Sequence, residues 1–384
     1  MTIMNDKYKI RPPKMTYCSK CVYPNIAVWV TMEDDTCSGC RVAGQKVDID
    51  WNEREKMLKE IFEEYRSKDD SNYDCVIPVS GGKDSYFQVY TVKERLGMNP
   101  LLVTYNANNY MPEGTRNLTR MREIFGCDHI FFTPSIHALI KMNRAGFKIQ
   151  GDMNWHAHCG IVTCPVQAAV RYKIPLIIWG EHGPTHIGGQ HSLHDFVEMS
   201  SRIRKEHFLR GYDWYDFLGE EGLTEKDLLW ARYPSDEELD AIGVRQIYLG
   251  NYVHWDEHIH AQKMIKEYGF EQAEQPFERT YRRASNLDDM HENGIHDYMK
   301  FIKFGYGRAT DHVSKDIRAG HMSREEGIEI VRRCDHVKSR DLQRWLKYVN
   351  MTEDEYDQIA DTFRDPRVWW KEKGQWTKDN IWDE

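Results

Sequence analysis

No stretch of the 384-residue sequence reaches the ~18 consecutive apolar residues that a membrane-crossing helix needs. The first twenty residues also lack the apolar core of an export signal. With a mean hydropathy of -0.72, these absences predict a cytoplasmic protein without membrane insertion. Positive charge is not in excess either. Lys and Arg number 52 against 61 Asp and Glu, a net charge of -9, and no Lys/Arg stripe stands out. That balance argues against a dedicated nucleic-acid binder, whose affinity comes from neutralising phosphates. A nucleotide cofactor is not excluded, because one local loop can bind phosphate inside an acidic protein. There is no internal repeat and no low-complexity tract. What is present is enough for a large core: 40% hydrophobic residues, 12% aromatic, and twelve Trp. The length exceeds the roughly 250–300 residues at which single cores stop growing, so more than one domain is expected.

The nine cysteines are read as metal ligands or buried thiols, since a reducing compartment disfavours disulfides. Four of them form two C-x2-C knuckles, Cys18-Ser-Lys-Cys21 and Cys37-Ser-Gly-Cys40. Each knuckle offers two soft ligands from one tight turn, and together they predict a structural zinc in a tetrahedron of thiolates. An iron–sulfur cluster or four reduced thiols would use the same residues. A site closed by four thiolates has no open position, so its expected role is folding. Residues 1–50 are read as this module.

Helical spacing over Trp51–Ser67 is followed by alternating signals. Cys75–Val79, Leu101–Tyr105, His129–Phe132 and Pro175–Trp179 read as strands. Asp84–Leu96, Gly114–Phe125 and residues 162–173 read as helices between them. Strands alternating with helices predict parallel βαβ units and an open α/β sheet. From about 190 to 275 the pattern loosens, with one later strand (Gln246–Leu249) and one long helix (Trp255–Tyr268). Residues 51–275 are taken as this domain. Beyond Pro276 only helical patterns appear, including Ser323–Val337 and Thr352–Phe363, so 276–384 is read as a helical region. The acidic, Trp-rich tail Asp365–Glu384 is expected to pack on the body or on a partner.

The strongest signal is Val79-Ser80-Gly81-Gly82-Lys83-Asp84-Ser85, placed between a strand and a helix. Paired glycines let backbone N–H groups close on an oxyanion, and the helix presents its positive N-terminal end. Ser80 and Ser85 add hydroxyl donors, Lys83 a cation, and Asp84 a carboxylate for Mg2+. A Walker A loop would need G-x-x-x-x-G-K-[ST], which is absent. The loop resembles the PP-loop of the ATP pyrophosphatases, which hold the pyrophosphate end of ATP and transfer AMP to a carbonyl or amide oxygen. That resemblance implies a PP-loop/HUP (Rossmann-like) sheet and places adenosine at the strand ends Tyr105-Asn106 and Gly180-Glu181, where such sheets bind ligands.

Further segments recur together with the loop and the knuckles: Gly151-Asp152 with Trp155-His156, Ile177-Ile178-Trp179-Gly180-Glu181, Asn251-Tyr252-Val253, and Phe304 through His312. The set resembles the N-acetyl sugar amidotransferase family, which makes acetamidino sugars for bacterial lipopolysaccharide O-antigens and flagellar nonulosonic acids. The resemblance implies an ATP- and Mg2+-dependent enzyme that adenylates the acetamido oxygen of a sugar or nucleotide sugar and then uses ammonia. It implies a separate glutaminase partner of the imidazole-glycerol-phosphate-synthase type. In line with that, residue 2 is Thr rather than Cys, and no Cys sits in a G-x-C-x-G elbow. Arg308, Asp311 and His312 become substrate contacts on the same ground; without it, a surface ion pair would be the default. Lys83 and Asp84 would serve catalysis as well as binding.

Asp152 and His156 are read as a polar wall of the substrate pocket, able to hydrogen-bond or move a proton. The cluster Asp152, His156, His158 and Cys159 could instead hold a second metal. His254-Trp-Asp-Glu257-His258 matches H-x-x-E-H, but Glu257-His258 is better read as a solvated face. Cys159-x4-Cys164 keeps open a tRNA sulfurtransferase, which would share both knuckles and loop, and a non-catalytic nucleotide-binding zinc scaffold is the other alternative.

Overall fold

The computed structural model describes residues 7–285, 287 and 290–383; Thr2 and Glu384 fall outside them. An antiparallel pair, β1 (Met32–Glu33) and β2 (Thr36–Cys37), runs into α1 (Ser38–Gly44), and α2 (Trp51–Tyr65) follows. Asp50 caps α2 by accepting from the N–H groups of Asn52 and Glu53. Alternation then begins: β3 (Cys75–Pro78), α3 (Lys83–Val89, prolonged by a π-wound turn Tyr90–Arg95), β4 (Pro100–Tyr105), α4 (Pro112–Phe125), β5 (His129–Phe132), α5 (Ile136–Gln150), α6 (Trp155–Tyr172) and β6 (Leu176–Trp179). Short turns carry α7 (Ser201–Ile203) and α8 (Asp236–Ile242) before β7 (Arg245–Tyr248) completes the sheet. After α9 (Glu257–Tyr268) come α10 (Met290–Phe304), α11 (Arg308–Arg318), α12 (Arg324–Cys334), α13 (Leu342–Val349) and α14 (Glu353–Thr362). The chain closes with the antiparallel pair β8 (Trp370–Glu372) and β9 (Gln375–Thr377).

The main sheet is five-stranded and parallel throughout, in the order β5-β4-β3-β6-β7. The order reverses between β3 and β6, which places a topological switch point at their carboxyl ends. Helices cover both faces. Leu58, Tyr86, Val89, Leu118, Met121 and Met264 pack on one side, and Met142, Trp155, Val162 and Val166 on the other. Because β3 and β6 are buried on both faces, their sequences are continuous apolar runs instead of alternating ones. This is the open α/β sheet that the sequence predicts, with a four-cysteine cluster before it and a helical region after it.

Three local readings differ. Helix α5 escaped the sequence reading, although Ala138, Leu139, Met142, Ala145 and Phe147 are buried at helical spacing and Gly151 ends it at φ +61°. Helix α6 begins at Trp155, seven residues ahead of the expected 162, and passes through Pro165, whose missing N–H costs one helix bond without ending it. The tail is not purely helical, because β8 and β9 form a hairpin. It packs on the N-terminal segment: Tyr8 meets Trp376 edge-on at 4.8 Å, the Lys371 N–H donates to Tyr8 at 2.8 Å, and the Met15 N–H donates to Asp379 at 2.9 Å.

Candidate functional site

The loop Ser80–Gly82 lies at the switch point, between the end of β3 and the first turn of α3. Its shape is fixed from inside. The Ser80 N–H donates to Ser85 Oγ at 2.8 Å, and the Gly82 N–H donates to Ser80 Oγ at 3.3 Å. Gly81 has a packing reason to be glycine, since a Cβ there would stand 2.4 Å from the carbonyl oxygen of Gly114. Lys83 is 8% exposed and bonds Asp84 Oδ2 at 2.6 Å, with Glu257 at 3.7 Å. Burial works against its charge, but Asp84 and Glu257 outweigh it and hold the ammonium above the ordinary lysine range. The second oxygen of Asp84, Oδ1, is shielded and has no hydrogen-bond partner among the described residues.

Opposite the loop runs α11. Ser80, Gly82, Lys83 and Asp84 on one side, and Arg308, Asp311, His312 and Lys315 on the other, line one cleft of about 240 Å3. Arg308 donates from Nε and Nη2 to Asp297 of α10 at 2.8–3.1 Å. Asp311 accepts from Tyr23 Oη at 2.6 Å and from Lys300. Each acidic or basic partner comes from another element, so the expected default of a pairing within α11 is not what forms. His312 Nδ1 lies 2.7 Å from Thr280 Oγ1. Burial, reinforced by Arg282 and Arg308, keeps its imidazole well below the ordinary histidine pKa and therefore neutral.

Glu257 was not expected here. It is the first residue of α9, only 13% exposed, and pairs with Lys315 and Arg282. Burial alone would raise its pKa, but Lys315, Lys83 and Arg282 hold it well below the carboxylate range. The solvated face assigned to it is thereby corrected. The H-x-x-E-H pair does not meet either. His254 precedes the helix and packs edge-on against Trp51 at 5.2 Å, whereas His258 faces His321 at 4.9 Å. Lys315 and Arg282 carried no motif signal at all.

The other expected positions lie around this cleft. Glu181, one residue past Gly180 at the end of β6, salt-bridges Lys315 and lines a second hollow of about 210 Å3 that shares Glu257 and Lys315 with the first. Tyr105 points into the core, against Gly160, with its hydroxyl 3.1 Å from His156 Nδ1. Asn106 is tied to Thr133 at 3.1 Å. Asp152 and His156 are both fully buried, and neither lines the cleft. His156 Nε2 lies 3.1 Å from Glu292. Asp152 accepts from Arg210 and sits 2.8 Å from His296 Nδ1, with His158 Nε2 at 3.7 Å. The carboxylate thus meets His158 and His296, while His156 and Cys159 turn elsewhere, and the Arg210 cation already occupies it.

Among the described residues eight histidines are held below their ordinary pKa chiefly by burial; the six most enclosed are His129, His158, His182, His186, His260 and His312, with His129 at about 4 and His158, His182 and His260 at about 3. In the unfolded chain they would titrate near 6.5, so below that pH the unfolded state binds more protons. Stability is full above pH 6.5 and falls with the pH, each histidine contributing about 1.4 kcal/mol per pH unit until its folded pKa is reached. The melting temperature is expected to drop steeply between pH 7 and 5 at constant ionic strength. A flat profile there would show that these imidazoles are already charged in the fold.

The four knuckle sulfurs lie within 4.8 Å of one another, with Cys21 to Cys37 at 3.5 Å and Cys18 to Cys40 at 3.9 Å. A tetrahedron with Zn–S bonds of ~2.3 Å has sulfur–sulfur edges of roughly 3.8 Å, so the donor set fits zinc. Backbone N–H groups of Cys21, Cys37 and Cys40 point at knuckle sulfurs at 3.3–3.5 Å, which favours the thiolate form. For Mg2+, the shielded and unpartnered Asp84 Oδ1 beside the loop is the fitting donor.

A parallel sheet in this order, with a Ser-Gly-Gly-Lys-Asp-Ser loop at its switch point, is an α/β fold of the PP-loop, Rossmann-like type. Residues 274–381 match the family model described as "LPS biosynthesis protein WbpG-like, C-terminal domain". That part of the chain is therefore similar to the C-terminal domain of WbpG-like lipopolysaccharide biosynthesis proteins, and the parallel sheet with the Ser-Gly-Gly-Lys-Asp-Ser loop precedes it. Among solved structures, similarity extends to an NH3-dependent NAD synthetase from Campylobacter jejuni, with 12% identity over 50% of this chain and 92% of that one and a TM-score of 0.28. An NMN synthetase from Francisella tularensis is similar at 11% identity, over 59% and 99% of the two chains, with a TM-score of 0.26. At those scores the strand order and the loop carry the fold assignment by themselves. No curated protein matches the chain. Among the described residues, no helix is long and apolar enough to cross a membrane.

Proposed function

We propose that the protein is an ATP-dependent amidotransferase that converts an acetamido group of a sugar, or of a nucleotide sugar, into an acetamidino group for bacterial surface-glycan synthesis. The observation that carries this reading is the single cleft in which the phosphate loop faces Arg308, Asp311 and His312. The match of residues 274–381 to a lipopolysaccharide-biosynthesis domain supports the choice of a sugar.

An amide is a poor electrophile and its oxygen a poor leaving group. In the proposed reaction the acetamido oxygen attacks the α-phosphorus of ATP and the bond to the β-phosphate breaks. Pyrophosphate leaves, and the amide proton is lost as the O-adenylyl imidate forms. Ammonia then adds to the imidate carbon and AMP departs with the oxygen, leaving the amidine. The loop N–H groups and Lys83 would bind the phosphates and offset the charge that develops on pyrophosphate. Mg2+ held by Asp84 would supply further charge neutralisation there. Arg308, fixed by Asp297, would offer Nη1, which has no partner among the described residues, to a phosphate or carboxylate of the substrate. Asp311 would accept from sugar hydroxyls. His312, neutral and anchored at Nδ1, would take a proton at Nε2 from the attacking nitrogen. Asp152 and His156 do not line the cleft and serve in this reading to set the packing of α10 through His296 and Glu292. Ammonia would come from a separate glutaminase.

Cys159 and Cys164 do not line the cleft, and burial pushes the Cys159 thiol up to about 11 and Cys164 higher still, which favours no sulfur-transfer role. The test is incubation with ATP, Mg2+, ammonium and a panel of nucleotide sugars. The expected result is AMP and pyrophosphate with acetamido sugars alone, and no use of glutamine by the chain by itself. Release of ADP and phosphate, stimulation by tRNA that depends on Cys159, or ATP binding without turnover of any sugar would each overturn it.

A further inference from the structure

Helix α11 does not end at the cleft. Arg308, Asp311, Lys315 and Arg318 recur at spacings of three and four residues, which places them along one stripe of the helix. The first three face the phosphate loop, and the fourth lies against the cysteine knuckles. Arg318 Nη2 donates to Cys37 Sγ at 3.3 Å and approaches Cys21 Sγ at 4.0 Å, and its Nε donates to Cys40 Sγ at 3.4 Å. Its remaining nitrogen, Nη1, donates to the carbonyl oxygens of Ile187 at 2.8 Å and His186 at 3.3 Å, in the turn that follows Gly180-Glu181. One guanidinium therefore bridges three elements: the knuckles, α11, and the loop leaving β6.

The knuckle is shaped to admit it. A Cβ on Gly39 would fall 2.2 Å from Arg318 Nη2 and 2.5 Å from the Ile187 oxygen. Two further links run the same way. Tyr23, just after the first knuckle, donates to Asp311 in the cleft and lies under Arg318, whose guanidinium carbon is 5.2 Å from its ring centroid. Arg324, the first residue of α12, donates to the carbonyls of Cys18 and Cys21 at 3.2 and 3.1 Å.

We propose that Arg318 is a positioning residue, which uses the four-cysteine centre as an anchor to set α11, and with it Arg308, Asp311, His312 and Lys315, against the phosphate loop. Four thiolates around a divalent ion leave a net charge of -2, and Arg318 supplies a buried counter-charge through N–H to sulfur bonds. A lysine would keep the charge but lack the planar fork that reaches sulfurs and carbonyls together. The centre thus does more than fold its own fifty residues: removing its metal loosens the substrate side of the cleft.

The test uses the full-length chain loaded with zinc, as wild type, Arg318→Met and Arg318→Lys. Zinc content near one per chain is expected in all three, with release to a chromogenic chelator at least ten-fold faster in Arg318→Met and intermediate in Arg318→Lys. Hydrogen exchange at residues 308–318 should rise on zinc removal from the wild type, while residues 83–89 stay protected. Gly39→Ala, which displaces the guanidinium while keeping the arginine itself, should reproduce the faster release if Arg318→Met fails to fold. The kinetic arm rests on the proposed amidotransferase reaction: the KM for the sugar should rise ten-fold or more, and the Kd for ATP should change less than two-fold. If no sugar is turned over, that reading fails while the metal-release and exchange arms still decide this one. Zinc release at the wild-type rate in both Arg318→Met and Gly39→Ala, or unchanged protection of 308–318 after zinc removal, overturns the proposal.

Discussion

Lys83→Ala is expected to slow pyrophosphate release by about 10^3-fold, the upper range for loss of one preorganised charge donor at a developing oxyanion. The side chain is buried between Asp84 and Glu257, a low-dielectric setting in which a cation acts strongly on a phosphate. Without it, Asp84 and Glu257 lose the cation they share, and Arg282 and Lys315 remain as the partners of Glu257. The loss should fall mainly on kcat, because the charge grows in the transition state, while the loop N–H groups still hold ATP. Glu257 keeps two cationic partners, so folding and zinc content should be retained. A coupled pyrophosphate assay beside calorimetric ATP binding reads both quantities. Turnover within ten-fold of wild type would refute the role of the loop.

Arg308→Ala is expected to act twice, on stability and on substrate. Its partner Asp297 has a side chain only 1% exposed, and the pair forms three hydrogen bonds. Removing one partner of a buried pair leaves an uncompensated charge and costs about 3–5 kcal/mol. Arg279 lies close and also donates to the Asp297 backbone carbonyl, so the lower end of that range is expected. The double variant Arg308→Ala/Asp297→Ala removes both charges and should regain most of the lost stability. It should not regain activity, because the donor proposed to meet the substrate is still missing. Denaturant unfolding and sugar KM, measured on both variants, separate the two roles. Equal instability of the single and double variants would show that packing, rather than the buried charge, sets the cost.

Much of the fold is legible in local sequence. The runs Cys75–Pro78 and Leu176–Trp179 announce buried parallel strands because every side chain in them meets apolar neighbours. The capping box Ser323…Glu326 marks the start of α12 where it occurs. Helix α5 lies outside the expected elements despite a clear apolar period, and so do residues 155–161, the first two turns of α6, whereas the expected helix 162–173 already spans Pro165. The tail hairpin was missed for a different reason: β8 and β9 have three residues each, too short to display alternation.

The site divides along the same line. The two knuckles, the Ser-Gly-Gly-Lys-Asp-Ser loop and its place at a strand end are legible in the order of residues, because each depends on residues within a few positions of one another. Arg308, Asp311 and His312 came through a resemblance. That α11 faces the loop, that Glu257, Arg282 and Lys315 form one charge network, and that Asp152 and His156 lie off the cleft follow from the folded arrangement. So does the reach of Arg318 to the cysteines. These contacts join segments distant in the chain, and they are selected by burial and charge pairing in three dimensions, which leave no periodic trace in the order of residues.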